Sequence, residues 1–307
     1  MKIWLLKLHR WVALAFALPL VFVLGTGLIL SVEPGLVVGS IEPNSLTLAR
    51  IETLLSQHDA AGQARSVAYR SYDKTLTIGT GQSGGKIVDV ASGELQAGPS
   101  ALANVLVTMR RTHEALLFNL GWLVVASTAA MLALIILGVL MGWPRISNTL
   151  SGWHKAFAWY LLPLIVLSPL TGLFLAAGIT FTSTPTASGA TGAPLKLAEA
   201  IQIVGRDHDL SSLVWIRPMG GRVMARLAED GEFRVYAVTR DGAVATPRNW
   251  PRLWHEGNFA GAWSAFMNAV ISFAMIGLLV TGLWIWLRRQ LRRRGRMPRT
   301  APRMMSP

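Results

Sequence analysis

The sequence predicts an integral membrane protein in which four helices form a transmembrane bundle and two small α+β units lie outside the membrane. Of its 307 residues, 52% are apolar and only 15% are charged, whereas soluble domains carry about 25% charged residues. Four apolar stretches exceed the roughly 20 residues that a helix needs to cross hydrocarbon. Short motifs in the two halves recur about 145 residues apart, which predicts a tandem repeat.

The four apolar stretches are predicted to be transmembrane helices, and they cover residues 11–32, 115–143, 156–181 and 260–287. The first follows a basic segment, as in a signal peptide, but its apolar run is too long for one and no A-x-A cleavage site follows. The predicted organisation is a first membrane segment (1–33), a first outer unit (34–112), a second segment (113–143), a loop (144–155), a third segment (156–181), a linker with the second outer unit (182–254), a fourth segment (255–287) and a basic tail (288–307).

The charges are distributed unevenly along the chain, and this predicts its orientation. Segments 1–10, 144–155 and 288–307 contain 13 of the 29 Lys and Arg residues and no acid, so the whole net charge of +13 lies on one side. The positive-inside rule places that side, with both termini, in the cytoplasm, and the two outer units on the opposite side of the membrane. Arginines next to a membrane meet anionic lipid, so membrane lipid rather than nucleic acid is the expected partner of the tail.

The absence of cysteine restricts the possible chemistry. It excludes disulfides, iron–sulfur clusters, thiol redox chemistry and covalent haem attachment through C-x-x-C-H. Residues 79–84 match the dinucleotide motif G-x-G-x-x-G, but a strand rather than a helix is predicted to follow. We therefore expect a hairpin loop there.

Matching motifs open the membrane segments of the two halves. A histidine beside a basic residue opens the first and third segments, at His9 and His154, and a His-Glu pair precedes the second and fourth, at His113 and His255. Each opening histidine is followed by a proline within the segment and, eighteen residues on, by the glycine of a Thr-Gly-Leu triplet: Pro19 with Gly27, and Pro163 with Gly172. Both halves run in the same direction, which predicts a parallel repeat about an axis along the membrane normal.

The two outer segments also resemble each other. Helical spacing of apolar residues predicts a helix over 46–58 and another over 195–208. Alternating apolar residues predict short strands after each helix, over 66–69, 75–78 and 86–90 and over 213–216, 222–227 and 233–238. Each unit is thus a small helix packed with an antiparallel sheet. Residues 182–193 are rich in Ser, Thr, Gly and Pro and are predicted to be a linker.

The four histidines at the ends of the membrane segments are the predicted site residues. The orientation places His9 and His154 at the cytoplasmic boundary and His113 and His255 at the periplasmic one, so each boundary has one imidazole from each half. Two imidazoles on facing helices can bind a haem iron from both axial sides. The sequence therefore predicts two non-covalent b-type haems with bis-histidine ligation. The alternative is that these histidines are ordinary interfacial polar residues.

Glycines on the ligand faces of these helices would let a porphyrin or a neighbouring helix approach closely. Eighteen residues are five helical turns, which puts Gly27 on the helix face of His9. The same counting puts three more glycines on or near a ligand face: Gly172, Gly138 and Gly277.

Three other sets of residues have two interpretations each. Basic residues near the ligands hold haem propionates or are ordinary boundary charges: Arg10, Lys155, Arg110 and Arg111. Acidic residues after the periplasmic histidines accept hydrogen bonds from the imidazoles or only favour a helix terminus: Glu114 and Glu256. The histidines that end the outer helices are predicted to be exposed rather than substrate or metal contacts: His58 and His208.

These motifs together resemble the PepSY-associated transmembrane family. The resemblance covers nearly the whole chain and rests on the segments around His9 and His154 and on the Val-Ala-Ser-Gly-Glu-Leu turn at 90–95. The second unit departs from it, with a shorter Arg-Asp-Gly-Ala-Val turn at 240–244. The family includes inner-membrane ferric-siderophore reductases with two b-type haems. The resemblance therefore implies a periplasmic substrate face and a bis-histidine haem near each leaflet.

The expected activity is that of a transmembrane oxidoreductase. It would pass electrons from a cytoplasmic reductase or the quinol pool to a periplasmic ferric-siderophore, which releases iron on reduction. A non-enzymatic alternative is a membrane-anchored PepSY module that binds a peptide, a peptidase or a siderophore. A transporter of the chelate is disfavoured because the membrane segments contain almost no intramembrane charge.

Overall fold

The computed structural model describes residues 2–81, 84–116, 118–144, 147–182 and 195–294, without the side chains of 293 and 294. Most of the predicted linker at 182–193, and the basic tail beyond residue 294, lie outside the described residues. The first half contains α1 (Lys2–Ala15), α2 (Ala17–Leu30), α3 (Glu33–Gly39), α4 (Leu48–His58), β1 (Ser66–Arg70), β2 (Thr75–Gly79), β3 (Lys86–Asp89), β4 (Leu95–Gln96), α5 (Ala101–Ala115) and α6 (Gly121–Leu140). The second half contains α7 (Leu150–Tyr160), α8 (Leu162–Ala176), α9 (Leu197–Asp207), β5 (Leu213–Met219), β6 (Arg222–Glu229), β7 (Glu232–Thr239), β8 (Gly242–Ala245), α10 (Trp250–Glu256) and α11 (Gly261–Arg294).

Within the described residues, three helical segments are long and apolar enough to cross a membrane: Ala17–Gly39, Gly121–Leu140 and Gly261–Arg292. The pair α7 and α8 becomes a fourth if it counts as one span, although it bends by 67°. Large apolar side chains on these helices face outward, such as Leu18, which is 70% exposed. Surfaces of this kind are stable in lipid, so the prediction of a membrane protein is confirmed.

Proline explains where the first and third predicted spans are broken. The first breaks at Phe16, three residues before Pro19, and the second break is at Leu161, two residues before Pro163. Proline has no N–H to donate to the carbonyl four residues earlier, and its ring clashes with that carbonyl. The helix face that a histidine shares with a later glycine is therefore not continuous across either break.

The spans contact one another through a compact apolar cluster. Its fully buried members come from four helices, α2, α6, α8 and α11: Leu20, Leu24, Met131, Ile165, Ile271 and Met275. Since lipid is as apolar as these side chains, close packing rather than the hydrophobic effect stabilises such contacts.

The strands form one antiparallel sheet with the order β4-β3-β2-β1-β5-β6-β7-β8. The sequence predicts two separate units, but β1 and β5 pair edge to edge, with Val67 opposite Ile216, and so join them. Strands β2 and β3 pair antiparallel, as expected for strands on either side of the glycine-rich segment, of which residues 82 and 83 lie outside the described residues. Joining the units removes two exposed strand edges, which are otherwise sites of aggregation.

Helices α4 and α9 supply the apolar core of this sheet. Ile51 and Leu54 of α4 and Ile201 of α9 are fully buried, together with strand residues from both halves, such as Val67 and Ile216. Burying a side chain of this size contributes about 1.5–3 kcal/mol. The two halves therefore share one core outside the membrane.

Two short helices lead from the sheet back to the spans. Helix α5 begins at the Ser100 cap and ends at Leu116, and α10 begins at the Asn249 cap and ends at Gly257. Both end residues are left-handed, with φ of 49° and 67°. The chain therefore turns before each span, and α6 starts at Gly121 and α11 at Gly261. His113 and His255 consequently lie on their own helices rather than on the spans that follow them.

Candidate functional site

The structure brings His113 and His255 together. Their ring centroids are 6.0 Å apart, with an angle of 47° between the ring planes. One ring comes from α5 and the other from α10, so each half supplies one imidazole. We call these two residues the sheet-side pair.

Helix α2 hydrogen-bonds the Nδ1 edge of the His113 ring. Its Nδ1 lies 3.1 Å from the Val23 carbonyl and 3.1 Å from the hydroxyl of Thr26. That hydroxyl donates its own proton to the Phe22 carbonyl at 2.6 Å, so it can only accept from the imidazole. Both partners are acceptors, and Nδ1 must therefore carry the proton. Nε2 is left as the unprotonated nitrogen.

His255 has the same surroundings in the second half. Its Nδ1 lies 3.2 Å from the Ser168 carbonyl and 3.2 Å from the Thr171 hydroxyl, which donates to the Leu167 carbonyl at 2.7 Å. The tautomer is therefore the same as for His113. Nε2 of both rings makes no hydrogen bond to any residue that the structure describes.

Glycines of the spans make room for both rings. A Cβ on Gly27 would lie 3.3 Å from Cε1 of His113, and one on Gly172 would lie 3.1 Å from Cε1 of His255. The sequence singled out these two glycines as places where a porphyrin or a neighbouring helix could approach closely. Each glycine receives a histidine from another helix.

His9 and His154 form the second predicted pair, here called the distal pair. Nδ1 of His154 lies 2.8 Å from the hydroxyl of Thr281, which donates to the Gly277 carbonyl. A Cβ on Gly282 would lie 3.4 Å from Cε1 of the same ring, whereas Gly277 has nothing within 4 Å. In the described part of the chain the rings of His9 and His154 make no contact of the kind made by the sheet-side pair.

His9 differs from the other three histidines. Its Nδ1 is buried and has no hydrogen-bond partner among the described residues. The helix that packs against α1 in this region is α6. Gly138, the glycine predicted for this region, has no atom within 4 Å of its virtual Cβ.

An ion-pair cluster lies beside the sheet-side pair. Glu256 binds Arg226 of β6 at 2.7 Å and Arg252 at 3.0 Å. Burial opposes the charge on Glu256, but the two guanidinium groups outweigh it and lower the pKa of the carboxyl to about 2. Arg110, a predicted propionate partner, instead pairs with Glu33 of α3. The cluster therefore ties α10 to the sheet and α5 to α3.

The remaining predicted residues have simpler surroundings. Glu114 is exposed, and neither it nor Glu256 bonds a ligand imidazole, because the Nδ1 atoms bond the spans. The other predicted propionate partners include two exposed residues, Arg111 and Lys155, and a half-buried one, Arg10.

The two outer histidines make structural contacts. Nε2 of His58 lies 2.8 Å from the Gly93 carbonyl, to which it donates. His208 bonds Glu229 at 2.8 Å and contacts the ring of Tyr236, whose hydroxyl donates to the same carboxylate at 2.6 Å. The side chain of His208 is only 16% exposed. It is therefore more buried than an ordinary surface histidine.

The donor set of the sheet-side pair fits a haem. Two imidazoles that bind one iron from opposite sides, with metal–nitrogen bonds of about 2 Å, have ring centroids roughly 6 Å apart. A structural zinc site needs four protein ligands and a catalytic one three. The described residues contain no group of three or more His, Asp or Glu side chains that could hold a metal ion.

These features define a class of protein: an integral membrane protein with an antiparallel sheet outside the membrane and paired imidazoles where the sheet meets the spans. The family model for the PepSY-associated TM region matches residues 6–289. The chain therefore belongs to that family. Among curated proteins, none matches the chain.

Sequence reasoning missed the hydroxyls that hold the imidazoles. In the sequence, Thr26 and Thr171 stand out only as the first residues of the Thr-Gly-Leu triplets that end at Leu28 and Leu173. A third such triplet begins at Thr281. The three triplets are a signal that could have identified these contacts.

Proposed function

We propose that this protein is a di-haem b oxidoreductase of the bacterial inner membrane. It moves electrons from a cytoplasmic reductase or the quinol pool to a ferric-siderophore in the periplasm. The two halves are a tandem parallel repeat around a four-helix bundle, and each half contributes one ligand to each haem. His113 and His255 hold one haem, and His9 and His154 hold the other.

The observation that carries the proposal is the arrangement of the sheet-side pair. Both rings have Nδ1 occupied by acceptors of the spans, and both keep Nε2 without a hydrogen bond in the described structure. Their centroid distance of 6.0 Å suits two ligands of one iron.

The residues of the chain perform three tasks. A bound haem supplies an iron that takes up and releases one electron. The four histidines bind the iron, the threonines orient the imidazoles, and the apolar spans exclude water from both sites. These residues hold no proton relay, and none is needed for transfer of an electron alone.

The orientation follows from the charge. The basic segments next to the distal pair are predicted to be cytoplasmic, which puts the sheet and the sheet-side pair on the periplasmic face. One electron delivered there converts the ferric iron of the chelate to ferrous iron. Siderophores with hard oxygen ligands hold ferrous iron less tightly, so the iron is released.

Spectroscopy of purified protein tests this proposal. We expect a reduced-minus-oxidised spectrum of low-spin b-type haem and two haems per chain by pyridine haemochrome assay. Adding a ferric-siderophore to the reduced protein should reoxidise the haem and yield ferrous iron that a ferrous chelator traps. A pure, folded protein without haem absorbance contradicts the proposal.

One observation favours the non-enzymatic alternative. A cavity of about 420 Å³ opens beside His58, Asp59 and Lys86 on the sheet unit, a size typical of ligand pockets. A binding module would use such a pocket without electron transfer. Under this alternative, ligand binding persists in a preparation that contains no haem.

A further inference from the structure

Three of the four proposed ligands pack against similar Thr-Gly dipeptides in the spans. His113, His255 and His154 each meet a Thr-Gly pair, at Thr26-Gly27, Thr171-Gly172 and Thr281-Gly282. For the first two, the carbonyl that also accepts from Nδ1 belongs to the residue three positions before the threonine.

His9 lies on α1, which packs against α6, and the matching dipeptide of α6 lacks the hydroxyl. There Leu137 precedes Gly138 as each threonine precedes its glycine. Leu137 therefore stands where the other three sites have threonine. It is buried on α6 and offers no acceptor, and Nδ1 of His9 has no partner in the described structure.

A hydrogen bond at the remote nitrogen matters to an axial ligand in two ways. It fixes the tautomer that leaves Nε2 free, and it makes the imidazole more basic toward the metal. Loss of such an outer contact typically lowers metal affinity by 10–100-fold. Imidazoles that differ in hydrogen bonding at the remote nitrogen are therefore expected to differ in their affinity for the metal.

We propose that Thr26, Thr171 and Thr281 are positioning residues for the axial histidines, and that Leu137 leaves His9 the weakest of the four ligands. This inference rests on the proposed function, and it concerns the relative strength of the two sites. The distal haem, held by His9 and His154, exchanges faster than the sheet-side haem.

Transfer of haem to excess apomyoglobin measures this difference in the intact, haem-loaded protein. We expect two phases of equal amplitude, with the fast phase from the distal site. Leu137→Thr should slow the fast phase by about tenfold or more and leave the slow phase unchanged. Leu137→Val, which has the shape of threonine without an acceptor, is the matched control and should not slow it. A single phase in the wild type, or equal effects of the two variants, overturns the proposal.

The sheet-side site has its own pair of variants. Thr171→Val should accelerate the slow phase by about tenfold, while Thr171→Ser, which keeps the hydroxyl, should restore it. Unchanged transfer from Thr171→Val would show that this hydroxyl does not position His255.

A readout without haem separates this inference from the proposed function. In haem-free full-length protein labelled with ¹⁵N-histidine, we expect the Nδ1–H tautomer for His113, His154 and His255 and a mixture of tautomers for His9. Leu137→Thr should convert His9 to the single Nδ1–H form. A single tautomer of His9 in the wild type overturns the inference. If purified protein binds no haem, the proposed function fails, while the tautomers still decide whether the threonines position the rings.

Discussion

The sheet-side pair and the distal pair consist of the same residue type, yet the chain holds them differently. Each imidazole of the sheet-side pair has two acceptors at Nδ1, whereas in the distal pair His154 has one and His9 has none in the described structure. The comparison shows that the hydrogen bonds that orient these imidazoles come from neighbouring spans and differ in number between the two pairs.

The supports of the two pairs also differ. His113 and His255 lie on short helices that are fixed at one end by the sheet and at the other by a left-handed residue. His9 and His154 lie on α1 and α7, which are separated from the rest of their spans by breaks at Phe16 and Leu161. A helix joined through such a break is less restrained by the bundle. We therefore expect the distal ligands to tolerate more movement.

Removing a ligand from each pair gives the largest expected effect. His255→Ala should abolish one of the two proposed haems and leave the distal haem spectrum intact, because under the proposed function each pair binds its own iron. His154→Ala should do the reverse. His58→Ala, which changes a histidine outside both pairs, is the control and should retain both haems. If any single ligand variant loses both haems while the protein stays folded, the pairs are not independent.

Filling the space at one glycine tests the packing of the sheet-side pair. Gly172→Ala places a Cβ 3.1 Å from His255, so the ring must shift, at a cost of about 1–3 kcal/mol. Thermal unfolding and haem content of the purified variant measure this. Gly277→Ala on the fourth span, where nothing lies within 4 Å, should change neither. Equal effects of both variants would argue against the close contact.

Removing the ion pair that joins α10 to the sheet is expected to have a smaller effect, which is a loss of stability. Arg226 has a side chain only 13% exposed, and Arg226→Ala leaves Glu256 without its less exposed partner. Breaking a buried pair costs about 3 kcal/mol or more, reduced here because the carboxylate is partly exposed. Arg252→Ala removes the more exposed partner and should cost below about 1 kcal/mol. Chemical unfolding of both variants compares the two, and a larger cost for Arg252→Ala would contradict the expectation.

Redox titration compares the two pairs through the midpoint potentials of their haems, and the expected effect is the smallest of the four. More basic imidazoles favour the ferric state, so the sheet-side haem should have the lower midpoint potential. Thr26→Val should raise that potential by up to about 60 mV, which corresponds to a tenfold change in preference for a one-electron couple. Thr26→Ser is the control. A rise in the potential of the other haem would place Thr26 at the wrong site.

Much of the fold outside the membrane could be predicted from local patterns. Helix α4 and strands β1, β2 and β3 lie within a few residues of their predicted positions, because alternation and helical spacing report directly which side chains face a core. The pairing of β1 with β5 could not be predicted, since it joins edges that are far apart in the chain. Nothing local distinguishes an edge that stays free from one that finds a partner.

The sequence by itself determined that the chain is a membrane protein with an α+β portion, and it singled out the histidines and two of the glycines that meet them. Only the tertiary structure decided which histidine meets which glycine and which rings face each other. The physical reason is that these contacts join side chains on different helices, so counting residues along one helix does not report them. The hydroxyls that orient the rings lie a whole domain away from the histidines in sequence.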